Sequence, residues 1–467
     1  MGAHAVEKGG REPVTLGNDL TKGSVAKTLV RFTVPFLLSN VLHTLYSIVD
    51  MYIVGQYADA TQISAVSIGA AVMLLVNGLI MGLGTGSTVL VGQTIGSRRE
   101  TDEKETISTV FAVFPLFALI LLALGQILAP TLLRLLNTPP EAWDGAMGYL
   151  RVCFIGLIFT GFFFAIASVL RAMGDSKGPM IFIAISCVCN IFGDILCVGV
   201  LHMGAPGAAL ATSASQGLSV LIGYFYLRRR NFPFDFRPRS FRIYGTRLRA
   251  LLRIGGPTAL QETMTNISFL VLEAIINKMG YIATAAVGVC DRVFNVAIIP
   301  GIAFSSAISA MVAQNTGAGE YRRSRECLRT GLMIALAIAA LIFAALALFP
   351  AAIIGSFTKD ASVVSAGVDY MTFFKFDCML FTLAFCVNGY INGTGHTRYT
   401  MIVNLIASFA VRLPLIWYIS RMPGASLYRI SFGLPSASLV QFLVGLAFLI
   451  FAKSEREHRR APGSELR

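Results

Sequence analysis

Apolar runs of about 20 residues, each long enough as a helix to cross about 30 Å of hydrocarbon, recur about twelve times in this chain. They begin near residues 29, 64, 107, 146, 178, 207, 250, 284, 328, 366, 398 and 432. With 55% hydrophobic and 13% charged residues, a water-soluble globule would have to display much of its apolar surface. The expected fold is an all-α integral membrane protein with about twelve transmembrane helices.

The formal net charge of +13 raises the question of nucleic acid, and its placement decides against it. Lys and Arg collect in the N-terminal arm (Lys8, Arg11, Lys22, Lys27) and in the loops after spans 2, 4, 6, 8 and 10, such as GSRRETDEK, RAMGDSK and GEYRRSRECLR. The intervening loops, YADATQ, LHMGAPG and NTPPEAW, carry almost no bases. This alternation is the positive-inside pattern. It predicts a multi-pass protein of the cell membrane with both termini in the cytoplasm and no nucleic-acid partner. No cleavable signal is expected ahead of the first span. The eight cysteines form no CxxC or metal-like group and read as small hydrophobes.

The chain repeats itself. LVGQTIGSRRE after span 2 resembles MVAQNTGAGEYRRS after span 8, with Gln314 and Gly317 each 221 residues beyond Gln93 and Gly96. MGDSKGPMI overlays TGHTRYTMI at the same offset, and Pro35 finds Pro257 one residue further on. The unit is six spans long, so the halves share one orientation and are expected about an axis along the membrane normal. The expected organisation is an arm over 1–28, an N-lobe over 29–230, a basic linker over 231–249, a C-lobe over 250–453 and a tail over 454–467.

Polar residues within spans mark the candidate site. Asn190 and Asp194 are four apart in CNIFGDIL and share a helix face. Asn40, His43, Ser47 and Asp50 line one face of span 1, and Thr212 lies near the start of span 6. Counted from the outer helix ends, Asp50, Asp194 and Thr212 reach the same depth, roughly 7 to 10 Å below the boundary. A carboxylate there costs about 2.5 to 3.5 kcal/mol on insertion scales. Two close carboxylates cannot both ionise cheaply, so the pair calls for a proton or a bound cation. Their oxygens, with amide and hydroxyl, suit Na+ as hard ligands and serve equally as proton carriers. At the repeat offset Asn190 falls on Val411, Asp194 on Leu415 and Thr212 near Pro435, so duplication alone did not supply the cluster.

VDMYIVGQ in span 1, QNTGAGEYRR after span 8 and NGTGHTR after span 10, with the two six-span halves, resemble the multidrug and toxic compound extrusion (MATE) family over residues 25 to 455. The resemblance implies a V-shaped pair of lobes and export of amphipathic or cationic organic molecules, coupled to H+ or Na+ and without ATP. It also implies an N-lobe cation site at Asp50, Asn190, Asp194 and Thr212. A related subgroup places acids on helices 10 and 7 where this chain has Phe381 and Thr265. Asn40, His43, Ser47, Gln261, Glu262, Asp377 and Arg412 are therefore candidates for the substrate cavity instead.

Other residues carry structural expectations. Arg292, Lys375 and Arg412 are available as counter-ions for the C-half acids. His43 is expected to satisfy an interhelical contact, and Asp291 and Arg292 to find partners on other helices. Pro35, Pro257, Pro300 and Pro414 are candidate bending points, and the glycines of MGLGTGSTVLVGQ permit close packing. The expected assembly is a monomer in a lipid bilayer acting on small amphipathic drugs or toxic metabolites. A flippase for a lipid-linked saccharide is the alternative. No HExxH, ATP-binding or other catalytic constellation is visible.

Overall fold

The computed structural model describes residues 19–229, 232 and 234–458. Lys8, Arg11 and the far end of the tail lie outside the described residues. Twelve long helices run in chain order: α1 Val25–Tyr57, α2 Ala60–Gly96, α3 Glu100–Leu135, α4 Pro140–Ala172, α5 Lys177–Val200 and α6 Gly204–Arg229 form the first half. The second contains α7 Gly245–Asn277, α8 Tyr281–Gly317, α9 Tyr321–Leu348, α10 Ala361–Gly393, α11 Thr397–Ser420 and α12 Gly433–His458.

Ten of the membrane spans are long and apolar enough to cross a bilayer by length and composition. The two long helices missing from that set are α6 and α7. Both are long, and polar along the faces that pack on protein, while Leu221 and Phe225 of α6 and Leu252 and Leu260 of α7 are exposed. α6 buries Ser213, Ser215 and Ser219 against α4 and α5, and α7 buries Thr258, Gln261 and Ser268. A helix face packed on other helices has no need of an apolar surface. The outward faces do, and Leu38, Leu119, Ile127, Leu221 and Leu341 are exposed accordingly.

The halves meet chiefly along α2 and α7. A Cβ at Gly82 would lie 2.3 Å from Ala259 Cα, and one at Gly86 would lie 2.3 Å from Gly255 Cα, so the sequence glycines permit the two backbones to touch. Thr258 Oγ1 donates to Gly82 O across this seam at 2.7 Å. The contact runs from Asn266, whose amide reaches Leu74 O at 3.4 Å, toward the face that carries the basic loops. Beyond that level α2 packs within its own half, Gly69 against Tyr149 and Gly145 against Ala65 and Gln62. The molecule is thus joined near the basic face and divided toward the other.

A reciprocal pair of hydrogen bonds closes the basic face. Gln93 Nε2 of α2 donates to Gly393 O at the end of α10, at 3.1 Å. Gln314 Nε2 of α8 donates to Ala172 O at the end of α4, at 2.5 Å. Donors and acceptors are both repeat-equivalent. Gly96 and Gly317 complete the pairing, since a Cβ at either would lie 2.1 Å from the carbonyl oxygen of Gln314 or Gln93 respectively. Leu20, fully buried, seals this point from below: its N–H donates to Gln314 Oε1 at 3.1 Å, and Asn315 Nδ2 donates to its carbonyl at 3.2 Å. In the linker, Phe234 and Phe236 pack on Phe111, while Arg247 pairs with Asp102 and, at 3.1 Å, with Glu105 of α3.

The four prolines divide into two kinds. Pro35 and Pro257 interrupt the hydrogen-bond ladder inside α1 and α7. Pro300 and Pro414 instead start new helical segments, after a break at Ile298 and after a π-helical stretch over Ile406–Arg412, where a missing N–H costs nothing. α5 carries the matching irregularity, a π-helical stretch over Ile195–Val200 that begins directly after Asp194.

Candidate functional site

The N-half cluster is built by three helices. Asn190 and Asp194, both fully buried, lie one turn apart on α5, with Asp194 at the last α-helical residue. Asp50 of α1 stands within hydrogen-bonding reach of Asp194. The Asn190 amide nitrogen donates to Asp194 Oδ2 at 2.7 Å, and its oxygen accepts from the Thr212 backbone N–H at 3.2 Å. The amide also approaches Thr212 Oγ1, at 3.3 Å. Asp50 Oδ1 and Asp194 Oδ1 are buried without a protein partner. Two carboxyls, an amide and a hydroxyl with two unpaired oxygens make an all-oxygen set suited to a proton or a hard monovalent cation. Among the described residues no group of three or more His, Cys, Asp or Glu side chains is placed to hold a metal.

Tyr46 belongs to this cluster and was not singled out from the sequence. Its hydroxyl lies 3.0 Å from Thr212 Oγ1, and its ring lines a cavity of about 320 Å³. The spacing held the signal: Tyr46 is three residues past His43 and four before Asp50, on the same face. An aromatic side chain within a span drew no attention beside an acid.

The cavity lies among α1, α2, α4, α5 and α6 and is closed by Ile302 and Ser306 of α8. Asn40 and His43 line it, whereas Ser47, Gln261, Glu262, Asp377 and Arg412 lie elsewhere. Ser47 is exposed farther along α1. Gln261 is buried in α7, and Glu262 lies at the α2–α7 seam near Gly78. Asp377 is buried inside the C-half, where it accepts from Ser438 Oγ at 2.6 Å. Arg412 donates to Ser268 at 2.8 Å and to Ser408 at 3.2 Å, and stacks over Phe269.

Other expectations also change. The C-half acids find no ion pair with Arg292, Lys375 or Arg412; the ion pairs among the described residues lie outside the spans' interior. A hydroxyl bonds Asp377 and two bond Arg412, whose Nε stays buried without a partner; the two charges still act on each other at longer range. His43 makes no interhelical hydrogen bond. It faces the cavity, edge-on to Tyr46 of its own helix with ring centroids 5.8 Å apart. Asp291 and Arg292 are exposed on α8, with Glu273 of α7 and Tyr370 of α10 close enough to Asp291 for their charges to interact. Conversely, Arg171, counted in the sequence as a loop base, stands in the last turn of α4 and lines the cavity.

Two repeated six-helix halves, joined at one face around an internal cavity, define a membrane transport protein. A family model described as MatE matches residues 35–196 and 257–418, one segment in each half and each beginning at the in-helix proline. The chain belongs to the multidrug and toxic compound extrusion (MATE) family, whose members are transporters rather than enzymes. It is 27% identical to the probable multidrug resistance protein YoeA of Bacillus subtilis (strain 168) over 447 residues, 94% of this chain and 96% of that protein. It is 25% identical to the probable multidrug resistance protein NorM of Thermotoga maritima over 443 residues, 92% and 94% of the two chains. The outward-facing conformation of a multidrug resistance MATE family transporter of the MOP superfamily aligns with a TM-score of 0.89 at 20% identity, covering 96% of this chain and 100% of that one. That likeness is one of fold.

Proposed function

We propose that this chain exports amphipathic organic molecules from the cytoplasm in exchange for inward movement of H+ or Na+. Its basic face and both termini are cytoplasmic, by the distribution of Lys and Arg. The single observation carrying this reading is the Asp50–Asp194 pair, one oxygen of each buried without a partner, joined through Thr212 and Tyr46 to the cavity wall. In the form divided away from the basic face, a cation from outside reaches the carboxyl pair and is held with Asn190 and Thr212. Neutralising the pair removes the repulsion between two buried carboxylates and changes what Tyr46 hydrogen-bonds. Because Tyr46 is also cavity wall, the bound molecule senses the change and leaves outward. Return of the empty carrier releases the cation inward.

The test is dye movement in oriented proteoliposomes under a proton gradient or a sodium gradient imposed separately, for the unmodified chain and for Asp194→Asn. The expected result is transport driven by one gradient and lost in the variant. Full transport by Asp194→Asn under the same gradient would remove that carboxyl from coupling.

A further inference from the structure

The cavity that faces the coupling cluster contains an unpaired positive charge and no acid. Arg171 is the one charged side chain among its lining residues; the others are apolar, aromatic, hydroxyl or amide groups, one thiol and His43. The guanidinium stacks over Phe36 at 5.0 Å. Its Nε is buried without a hydrogen-bond partner, and no carboxylate lies within ion-pair distance among the described residues.

The ordinary use for a base in the last turn of a helix is to cap the free carbonyls there. That use is closed. Met173, Asp175 and Gly174 N–H donate to the carbonyls of Val169, Leu170 and Arg171, and Gln314 Nε2 takes the carbonyl of Ala172. A buried charge without a partner is costly, and a guanidinium presents a planar fork matched to carboxylate, sulfonate or phosphate oxygens. Phe36, Phe163, Phe164 and Tyr46 supply the apolar and aromatic wall beside it.

We infer that the exported molecule carries an acidic group on an aromatic or apolar body, and that Arg171 is the counter-charge it meets in the cavity. This inference rests on the exporter reading above and sets an acidic substrate in place of the cationic one that the family resemblance implies. Neither Glu262 nor Asp377, nor any other carboxylate, is in the lining of this cavity.

A matched pair of fluorophores, 1-pyrenesulfonate and 1-pyrenemethylammonium, tests the sign of charge with the aromatic body held constant. Both are offered to the full chain in proteoliposomes under the driving cation gradient. The expected result is gradient-dependent transport of the sulfonate in preference to the ammonium. Arg171→Gln lowers kcat/KM for the sulfonate by about 10- to 100-fold, and Arg171→Lys, keeping the charge without the fork, restores part of it. Preference for the ammonium would overturn the inference and leave the exporter reading standing. Movement of neither probe by protein of verified fold would count against both. Should Arg171→Gln fail to fold, the preference of the unmodified chain decides alone.

Discussion

The Tyr46 hydroxyl lies 3.0 Å from Thr212 Oγ1, which makes one side chain both a wall of the cavity and a neighbour of the coupling carboxyls. Tyr46→Phe keeps the wall and removes the link. A single hydrogen bond contributes about 0.5 to 1.5 kcal/mol net, so the apparent affinity for the coupling cation is expected to fall by roughly 2- to 10-fold, while the substrate KM without a gradient stays nearly constant. Equal loss in both would show that the hydroxyl only shapes the cavity.

The reciprocal glutamines make the closed face testable. Replacing Gln93 and Gln314 together by Ala removes the two reciprocal bonds and the one from the Leu20 N–H to Gln314 Oε1, three hydrogen bonds worth about 1.5 to 4.5 kcal/mol in sum, and favours opening at the basic face. Spin labels at the exposed positions Arg98 and Arg322 should then report a longer-distance population. An unchanged distribution would mean that the α2–α7 seam alone holds the halves together.

That seam has its own test. Gly86→Val places a branched side chain where even a Cβ meets Gly255 Cα at 2.3 Å. Overpacking of this kind costs about 1 to 3 kcal/mol, read as a lower unfolding temperature in detergent. Gly55→Ala, at a position with open space around it, should leave that temperature unchanged.

Charge movement distinguishes the two signs of substrate. One cation moving in while one anion moves out carries two positive charges inward per cycle, whereas exchange of a cation for a cationic molecule carries none. Each charge across 100 mV supplies about 2.3 kcal/mol. Collapse of an interior-negative potential should therefore slow export of the anionic probe sharply, and potential-independent export would contradict the anion assignment.

At the loop between α1 and α2, Asp59 accepts from Thr61 Oγ1 at 2.7 Å and from the Gln62 N–H at 3.0 Å. These bonds, the Thr61 side chain foremost, hold its carboxyl below its ordinary value of 3.8. With the folded value depressed, the cap stabilises α2 above the ordinary carboxylate range and is lost as pH falls through the folded value. Amide exchange at the start of α2 should accelerate in that acid window, and Asp59→Ala should abolish the dependence.

Much of this arrangement is legible in the sequence because a bilayer makes polarity conspicuous. Asp50, Asn190, Asp194 and Thr212 interrupt runs that otherwise need no oxygen, and helical counting brings them to one level. Tyr46 escaped because aromatic residues are ordinary in a span and its hydroxyl is visible only beside Thr212. Arg171 escaped for a different reason. At a helix end, a base that anchors topology and one that turns inward look alike, and only the occupied carbonyls of α4 separate them. Asp377 shows the converse, since an acid in a span can be satisfied within its own half, as Ser438 satisfies it.

The bonds of Gln93 and Gln314 have an evolutionary reading. A homodimer of six-helix chains with an isologous interface would make both with one glutamine, each copy donating to the other. The single chain keeps that symmetry at the closed face, where a change in either half is felt by both. The carboxyl cluster has no counterpart at the repeat offset, so a change there is felt by one half alone.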